Sequence, residues 1–260
     1  MFIVQDIHVR LGQSEILRGI NFNAKSNELT AIVGPNGCGK TTLLRAMTGE
    51  VAFTGEITLD HKPIRHFKPW EMAARRAVLP QSLRIAFPFT VLEIVRLGLS
   101  AGTEASNKHL PTEALERVGL AGFEGRYYNQ LSGGEQQRAQ FARALVQVWD
   151  PVWRGQARWL LLDEPVASLD IGHQLEVMQI ARDFANQGGG VIAVMHDLNL
   201  TAMYADSVAL FARGECQGQG TPKEIISNDL LRSAYNCPIH VDTVPSARNT
   251  RFLLPQAVAQ

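Results

Sequence analysis

Residues 34–42 read Gly34-Pro35-Asn36-Gly37-Cys38-Gly39-Lys40-Thr41-Thr42 and match the pattern G-x-x-x-x-G-K-[ST] without a mismatch. The apolar run at 29–33 is typical of a buried strand, and residues 43–47 favour a helix. A glycine-rich turn between a strand and a helix directs several backbone N–H groups into one concavity, which binds an anion. We therefore predict that this stretch, called the P-loop below, holds phosphate groups.

The P-loop also suggests roles for two of its side chains. In such a loop the Lys40 ammonium can reach the β- and γ-phosphates of a nucleotide, and the Thr41 hydroxyl can ligate Mg²⁺. A helix that begins near Lys40 adds the positive end of its dipole. The sequence thus predicts a site for ATP and Mg²⁺, with all nine P-loop residues in contact with the nucleotide.

Composition argues against several other classes of protein. The chain of 260 residues carries 25 Lys and Arg against 25 Asp and Glu, so it has no global basic field for nucleic acid. Its three cysteines, Cys38, Cys216 and Cys237, fit neither a disulfide framework nor a zinc site and indicate a reducing cytosol. We expect no export leader, because residues 1–9 alternate like a strand. We also expect no spanning helix, because no apolar run approaches about 18 residues.

Hydrophobic periodicity predicts an α/β fold. An N-terminal β layer is expected from strands at 2–9, 20–24 and 55–60. Further strands are expected at 29–33, 77–80, 157–162, 191–195 and 207–211, and helices at 70–76, 175–185 and 223–234. Strands that alternate with helices indicate a largely parallel sheet covered on both faces.

The middle of the chain has a different pattern, since helical periodicity replaces the strand signal. Helices are expected at 91–97, 112–118 and 135–146. We assign 1–81 and 146–235 to a catalytic core with its β layer, 82–145 to an inserted helical subdomain, and 236–260 to a C-terminal tail. In the tail, residues 240–244 and 251–254 are expected to form a hairpin of no assigned role.

A second motif ends another buried strand: Trp159-Leu160-Leu161-Leu162-Asp163-Glu164-Pro165. Ligands of open α/β sheets bind at the carboxyl edge, where such a strand delivers its acids. With the P-loop upstream, Asp163 is expected to hold Mg²⁺ and Glu164 to polarise an attacking water. The alternative is a strand end with two solvated acids.

The third motif is Leu131-Ser132-Gly133-Gly134-Glu135-Gln136-Gln137-Arg138, called the signature below. It resembles the signature of the ATP-binding cassette (ABC) family, and the resemblance covers essentially the whole chain. The resemblance implies a P-loop NTPase fold with a RecA-like parallel-sheet core, an N-terminal antiparallel β layer and an inserted α-helical subdomain. It also implies ATP hydrolysis coupled to transport.

The same resemblance extends to single residues. In the family, Gln81 matches the Q-loop glutamine, Ser168-Leu169-Asp170 the D-loop, and His196 the switch histidine. The implied catalytic residues are Glu164, His196 and Gln81, and the implied Mg²⁺ ligands are Thr41, Gln81 and Asp163. Beyond the P-loop, the implied nucleotide contacts are Ser132, Gly133, Gly134 and Asp170. One departure is Leu11, which stands where the family usually has an aromatic residue that stacks on adenine.

The resemblance further implies partners. Family members pack head to tail as homodimers, so that each ATP lies between one P-loop and the other chain's signature. Two transmembrane permease subunits would dock beside the Q-loop, where residues 81–91 offer an apolar wall. The chain would thus lie peripherally on the cytoplasmic face of a bacterial inner membrane, with a periplasmic binding protein as an indirect partner and no nucleic acid.

The cargo is inferred from two stretches. Residues 81–98 and 196–206 resemble importers of iron chelates, haem and cobalamin, and the insertion at 147–158 resembles the bacterial haem importers. Haem is therefore the expected cargo, with ferric siderophore or cobalamin as the alternative. A soluble ABC protein that acts on DNA or ribosomes is a third reading, although the second cassette or long coiled coil usual there is not visible.

Overall fold

The computed structural model describes residues 1–81, 85–101, 107–243 and 255, with Ala101 described by its backbone alone. The strands are β1 (Phe2–Leu11), β2 (Ser14–Ala24), β3 (Leu29–Val33), β4 (Thr54–Leu59), β5 (Lys62–Pro63), β6 (Arg76–Leu79), β7 (Val152–Trp153), β8 (Gln156–Ala157), β9 (Trp159–Asp163), β10 (Gly190–Val194), β11 (Ser207–Ala212) and β12 (Glu215–Gly220). The α-helices are α1 (Lys40–Met47), α2 (Pro69–Arg75), α3 (Val91–Ala101), α4 (Leu110–Arg117), α5 (Gly133–Gln147), α6 (Ile171–Asn186), α7 (Leu198–Tyr204), α8 (Pro222–Ile225) and α9 (Asn228–Tyr235).

The central sheet has the strand order β12-β11-β3-β10-β9-β6 among the described residues. All its neighbours pair in parallel except β12, which is antiparallel to β11. A second sheet, in the order β2-β1-β4-β5, is antiparallel and forms the N-terminal β layer. The expected P-loop NTPase core, β layer and helical region are therefore confirmed.

Strand β3 shows why the sheet is buried on both sides. All five of its residues are buried, and its four apolar side chains are divided between two apolar clusters, with the buried Thr30 in neither. Ala31 and Val33 belong to the cluster that includes residues of α5 and α6, whereas Ile32 belongs to the cluster that includes residues of β1 and β2. A strand packed on both faces needs apolar residues throughout, which explains the continuous apolar run before the P-loop.

The helical region contains α3, α4 and α5, which pack against one another. Helices α3 and α5 approach closely at Gly98, where a Cβ atom would lie 2.0 Å from the backbone oxygen of Arg143. A glycine is thus required at this crossing. The boundaries assigned to the subdomain stay a prediction, although α5 continues to Gln147, two residues beyond the expected limit of 145.

The structure adds elements that the sequence did not predict and corrects one predicted helix. The 147–158 insertion holds a small hairpin, β7–β8, whose turn residues Arg154 and Gly155 both have positive φ (51° and 72°), as a two-residue type I′ turn requires. The expected helix at 223–234 is two helices, α8 and α9, because the first begins and ends within one turn. Strand β12 and helix α7 were not predicted, and β12 escapes the pattern because its residues are polar or glycine.

The tail also differs from its expectation. Residues 240–243 contain a turn at 241–242 and no strand, and the backbone N–H of Val241 donates to the Asn228 side chain on α9 at 2.7 Å. Residue 244 and residues 251–254 of the expected hairpin lie outside the described residues. In the described ranges, no helix combines the length and the apolar character needed to cross a membrane.

The α3–α5 crossing gives a test of packing. Gly98→Ala should lower the free energy of unfolding by about 1–3 kcal/mol, because the added methyl group meets a backbone carbonyl that cannot turn away. The control is Gly172→Ala in α6, where the new Cβ meets only the Asp170 side chain at 3.5 Å. This control should stabilise the protein by up to about 1 kcal/mol through helix propensity. Urea unfolding of both variants measures the signs, and a neutral Gly98→Ala would contradict the packing argument.

Candidate functional site

The P-loop connects β3 to α1 and wraps around the Lys40 side chain. Lys40 is buried, and its ammonium donates to the backbone oxygens of Gly34 at 2.8 Å and of Pro35 at 3.0 Å. Gly39, with φ 106°, is the N-cap residue of α1. Because the first turn of α1 lacks acidic residues, its N–H groups and Lys40 together favour an anion.

A cavity of about 590 Å³ lies beside this loop. It is lined by residues from the P-loop, from strand ends and from β2: Ile16, Asn36, Gly37, Gly39, Lys40, Thr41, Thr42, Gln81, Glu164 and His196. Four separate segments that sequence analysis placed in one site therefore meet at the same cavity. Gly34, Pro35 and Cys38 are not among its lining residues in the described chain, and the Cys38 side chain is buried.

Asp163 stands at the carboxyl end of β9, beside the P-loop. The Thr41 hydroxyl donates to Asp163 Oδ1 at 3.1 Å. Burial raises the pKa of Asp163, and the hydrogen bond from Thr41 opposes this shift. The Thr41 hydroxyl and the Asp163 carboxylate are adjacent oxygen ligands of the kind that Mg²⁺ prefers, and a bound cation would stabilise the buried charge of Asp163. Thr41, Gln81 and Asp163 together line a smaller neighbouring cavity of about 350 Å³, whereas Asp163 is absent from the described lining of the 590 Å³ cavity.

Glu164 and His196 contact each other directly. His196 Nε2 lies 2.6 Å from Glu164 Oε1. Glu164 has a positive φ of 54°, an uncommon conformation for this residue type, and its N–H donates to the Val194 carbonyl at 3.2 Å. The neighbouring parallel strands β9 and β10 thus bring a carboxylate and an imidazole together at one cavity edge.

The signature and Asp170 do not reach this cavity. Among the described residues, the cavity lining includes none of Ser132, Gly133, Gly134 and Asp170. Ser132 caps α5 in a capping box, in which its N–H donates to Glu135 at 2.7 Å. Asp170 caps α6 and accepts from the His173 N–H at 3.0 Å. Within one chain, these residues therefore start helices and do not contact the P-loop cavity.

Sequence analysis missed two residues at the site. Gln137 donates to the Glu164 carbonyl at 2.7 Å and accepts from the Ser168 N–H at 3.2 Å, so it ties α5 to the loop that follows β9. Ile16 on β2 lines the cavity, whereas Leu11 does not and is 43% exposed. Neither role has a local sequence signal, because each depends on a distant segment of the chain.

Fold and site together define a P-loop nucleotide-binding protein, since the strand–loop–helix unit and the acidic end of β9 share one cavity. The sequence profile of the ABC transporter family matches residues 17–167. The chain belongs to this family.

Individual relatives agree with this assignment. The hemin import ATP-binding protein HmuV of Jannaschia sp. (strain CCS1) is 62% identical over 255 residues, which cover 98% of this chain and 94% of the relative. The protein of the same name from Roseobacter denitrificans is 56% identical over 97% of this chain and 96% of its own length. Among solved structures, a dimeric bacterial ABC transporter cassette has a TM-score of 0.74 at 26% identity and covers 85% of this chain and 99% of its own.

The raised pKa of Asp163 gives a prediction on stability. Asp163 binds a proton more tightly in the folded protein than in the unfolded chain. The ionised carboxylate therefore lowers the free energy of unfolding at pH values above its folded pKa. This destabilisation disappears as the pH falls toward about 4, near the pKa of the unfolded chain. Asp163→Asn should therefore be more stable than the wild type at pH 7, with the difference shrinking at lower pH.

The control for this measurement is Asp170→Asn, because a hydrogen bond from the His173 N–H lowers the pKa of Asp170. That carboxylate contributes stability at neutral pH, so its replacement should act in the opposite direction. Thermal unfolding from pH 4 to pH 8 compares the two variants. A less stable Asp163→Asn at pH 7 would contradict the assigned cost of burial.

Proposed function

We propose that this chain is the ATP-hydrolysing subunit of a bacterial ABC importer and powers the uptake of haem through a partner permease. The observation that carries the ATPase role is the single cavity that joins the P-loop, Gln81, Glu164 and His196. Haem as the cargo is supported by full-length relatives of 46–62% identity that bear the name hemin import ATP-binding protein. The set of residues involved is small, and each has a separable task.

The phosphate end of ATP would lie against the P-loop. Backbone N–H groups and the α1 dipole bind the phosphates, and Lys40 turns from the Gly34 and Pro35 carbonyls toward them. Thr41, Asp163 and Gln81 would hold Mg²⁺, which neutralises phosphate charge when bound.

The adenine end needs apolar surface that the usual aromatic residue does not supply here. Ile16 is the apolar side chain among the described lining residues, and it belongs to the β layer. We assign the base contact to Ile16 rather than to Leu11. Aliphatic contact lacks the ring stacking of an aromatic residue, so discrimination between adenine and other bases should be modest.

Hydrolysis would use the contact between Glu164 and His196. Glu164 is the general base that polarises water, since its carboxylate lines the cavity on the side of β9. His196 Nε2 lies 2.6 Å from Glu164 Oε1 and orients that carboxylate, and the same N–H would turn toward the γ-phosphate once ATP is bound. Gln137 lies on α5, the helix that begins at the signature, and its side chain donates to the backbone carbonyl of Glu164. A small shift of α5 would therefore move the base.

A second copy of the chain would complete the site. Ser132 is exposed and begins α5 with its capping box, and residues 133–134 offer N–H groups at the same helix start. That arrangement suits an anion, yet these residues lie outside the cavity of their own chain. A head-to-tail homodimer would place one chain's signature on the other chain's ATP. The solved ABC transporter cassette of similar fold, which is described as dimeric, supports a dimer.

Substitution of Glu164 tests two assignments, its role as the base and the ATP-bound homodimer. Glu164→Gln should retain ATP binding, slow hydrolysis by about 10²- to 10⁴-fold and accumulate an ATP-bound dimer. Phosphate release measures the rate, and size-exclusion chromatography with light scattering measures the dimer. Adding Ser132→Arg in the same chain should prevent the dimer without preventing ATP binding. A Glu164→Gln variant that hydrolyses ATP normally would show that another group is the base.

We place the permease contact at a second cavity, of about 750 Å³, called the groove below. Its described lining includes none of residues 81–91, which the sequence offered as the apolar wall of the docking site, and residues 82–84 lie outside the described residues. The groove lies between the β layer, α2 and the end of α5, and its lining combines apolar side chains with three arginines: Val51, Phe53, Ile64, Phe67, Met72, Val78, Arg65, Arg76 and Arg143. Its described lining includes no carboxylate. A short permease helix with an apolar face and acidic residues is complementary to this surface.

Hydrogen bonds connect the groove to α1, the helix that follows the P-loop, and to α5, the helix that begins at the signature. Gln147, at the end of the signature helix, donates to the backbone oxygens of Ala73 and Arg76, both at 2.9 Å. Arg76 donates to the Met47 and Thr48 carbonyls at the C-terminal end of α1, the helix that follows the P-loop. Burial lowers the pKa of Arg76 to about 10, so it remains charged at neutral pH. Docking in the groove can thus act on α1 and α5 at once.

Reconstitution tests the cargo. The chain is purified with its permease, placed in proteoliposomes and supplied with binding protein loaded with haem or with a ferric siderophore. Haem-loaded binding protein alone should stimulate ATP hydrolysis, and Glu164→Gln complexes serve as the control for contaminating ATPases. Stimulation only by the siderophore or cobalamin form would replace the cargo but keep the ATPase. Failure to copurify any permease would favour a soluble ABC protein.

A further inference from the structure

The β7–β8 hairpin of the 147–158 insertion contacts α2, the helix that forms one wall of the groove. Arg75 on α2 donates to the Gln156 side chain and to the Ala157 carbonyl at 3.3 Å, and both acceptors belong to β8. Among the described residues, none of the hairpin lines the ATP cavity or the groove. The hairpin therefore acts on the groove through α2.

Helix α2 has little apolar packing of its own. It is seven residues long, and its buried residues are Met72 and Arg75, whereas Trp70 is 65% exposed. A helix this short is unstable in isolation and depends on its tertiary contacts. With a single buried apolar side chain, the position of α2 depends strongly on how the Arg75 guanidinium is held.

Arg75 is held from two sides. Its side chain is 7% exposed, and its guanidinium pairs with Asp60 at the end of β4 as well as with Gln156 and Ala157 on β8. A buried guanidinium needs its acceptors, because each lost acceptor leaves an N–H donor unsatisfied away from water. Arg75 keeps its buried position while the hairpin supplies these acceptors, and it would move toward water without them.

The hairpin is itself anchored to the central sheet. Arg158, directly after β8, is buried, and its backbone N–H donates to the Pro151 carbonyl at 2.7 Å. Its own carbonyl accepts from the Gly190 N–H on β10 at 2.9 Å. Val152 packs against Gly188, where a Cβ atom would lie 2.6 Å from Val152 Cγ2. A hairpin fixed at its base can hold a neighbouring helix in one place.

The position of α2 decides the shape of the groove. Met72, Ala73 and Arg76, at the end of α2 and the start of β6, line the groove. Gln147 on α5 holds the same segment by donating to the Ala73 and Arg76 carbonyls at 2.9 Å. The hairpin supplies the second contact, through Arg75. If that contact is lost, α2 occupies its docking position for less of the time, and the apparent affinity for a partner falls by the same fraction.

We infer that the β7–β8 hairpin is a positioning element for permease docking, which holds Arg75 and thereby fixes α2 in the place where the groove accepts its partner. This inference rests on the proposed function, because it takes the permease as the partner of the groove. It assigns the insertion a task in docking and none in nucleotide binding.

The first test concerns α2 in the full chain without permease. Gln156→Leu removes an acceptor of Arg75, and Gln156→Glu supplies a charged acceptor in its place. Hydrogen exchange measured by mass spectrometry should be faster in α2 of Gln156→Leu and unchanged in Gln156→Glu. Unchanged exchange in Gln156→Leu would overturn the inference, because α2 would then not depend on the hairpin.

The matched control is Arg154→Asn at the hairpin turn. Asn suits the positive φ of 51° at this position, and the change removes an exposed guanidinium that lies 4.4 Å from the Trp153 ring and does not contact Arg75. Exchange in α2 should stay at the wild-type rate. The ATPase activity without permease should be unchanged in this control and in both Gln156 variants, because neither residue lines the ATP cavity.

The second test measures docking with the permease that copurifies with the wild-type chain, held in lipid nanodiscs, by surface plasmon resonance. Gln156→Leu should bind about fivefold more weakly, if α2 keeps its docking position about a fifth of the time, and Gln156→Glu should restore the affinity. Arg154→Asn should bind within twofold of the wild type.

The outcomes separate the inference from the proposed function. Equal affinities of the wild type and Gln156→Leu would overturn the positioning role and leave the permease assignment intact. Equal weakening by Arg154→Asn would overturn it as well, because the hairpin would then contact the permease directly. If the wild-type chain binds no permease, the proposed function fails and the inference fails with it.

Discussion

The packing of Gly34 on the Phe211 carbonyl is the constraint on which the rest of the site depends. A P-loop binds phosphate only if its N–H groups hold one geometry, and this chain fixes that geometry by placing the first loop residue directly on β11. Strand β3 ends at the same edge of the sheet, and the neighbouring parallel strands deliver His196 after β10, Glu164 after β9 and Gln81 after β6. Parallel pairing alone brings these residues to one cavity.

Function carries a cost in stability at Asp163. A carboxylate that is buried at the end of an apolar strand is disfavoured in its charged form, and its raised pKa reports this. The Thr41 hydrogen bond offsets only part of that cost. A cation bound beside Asp163 would remove most of it, so that ligand binding and the stability of this edge of the sheet become linked.

The connections between elements run through side-chain amides. Gln137 joins the signature helix to the backbone of Glu164, and Gln147 joins the other end of that helix to the groove wall at Ala73 and Arg76. Helix α5 thus contacts Glu164, the proposed catalytic base, at its first turns and the groove at its last. A rigid helix with hydrogen bonds at both ends transmits a displacement better than a loop would, which suits a subunit that couples docking to hydrolysis.

Sequence alone was enough to predict the P-loop, the acidic end of β9, the signature and most strands and helices, because each is encoded in neighbouring residues and short-range periodicity. It missed β12 and α7, which lack such a pattern. The resemblance to ABC proteins added Gln81 and His196, which the structure brings to the cavity. The tertiary structure was needed to show that Ile16 lines that cavity and that Gln137 holds Glu164. These contacts join segments far apart in the chain, so their partners are set by strand order and helix packing and leave no local pattern.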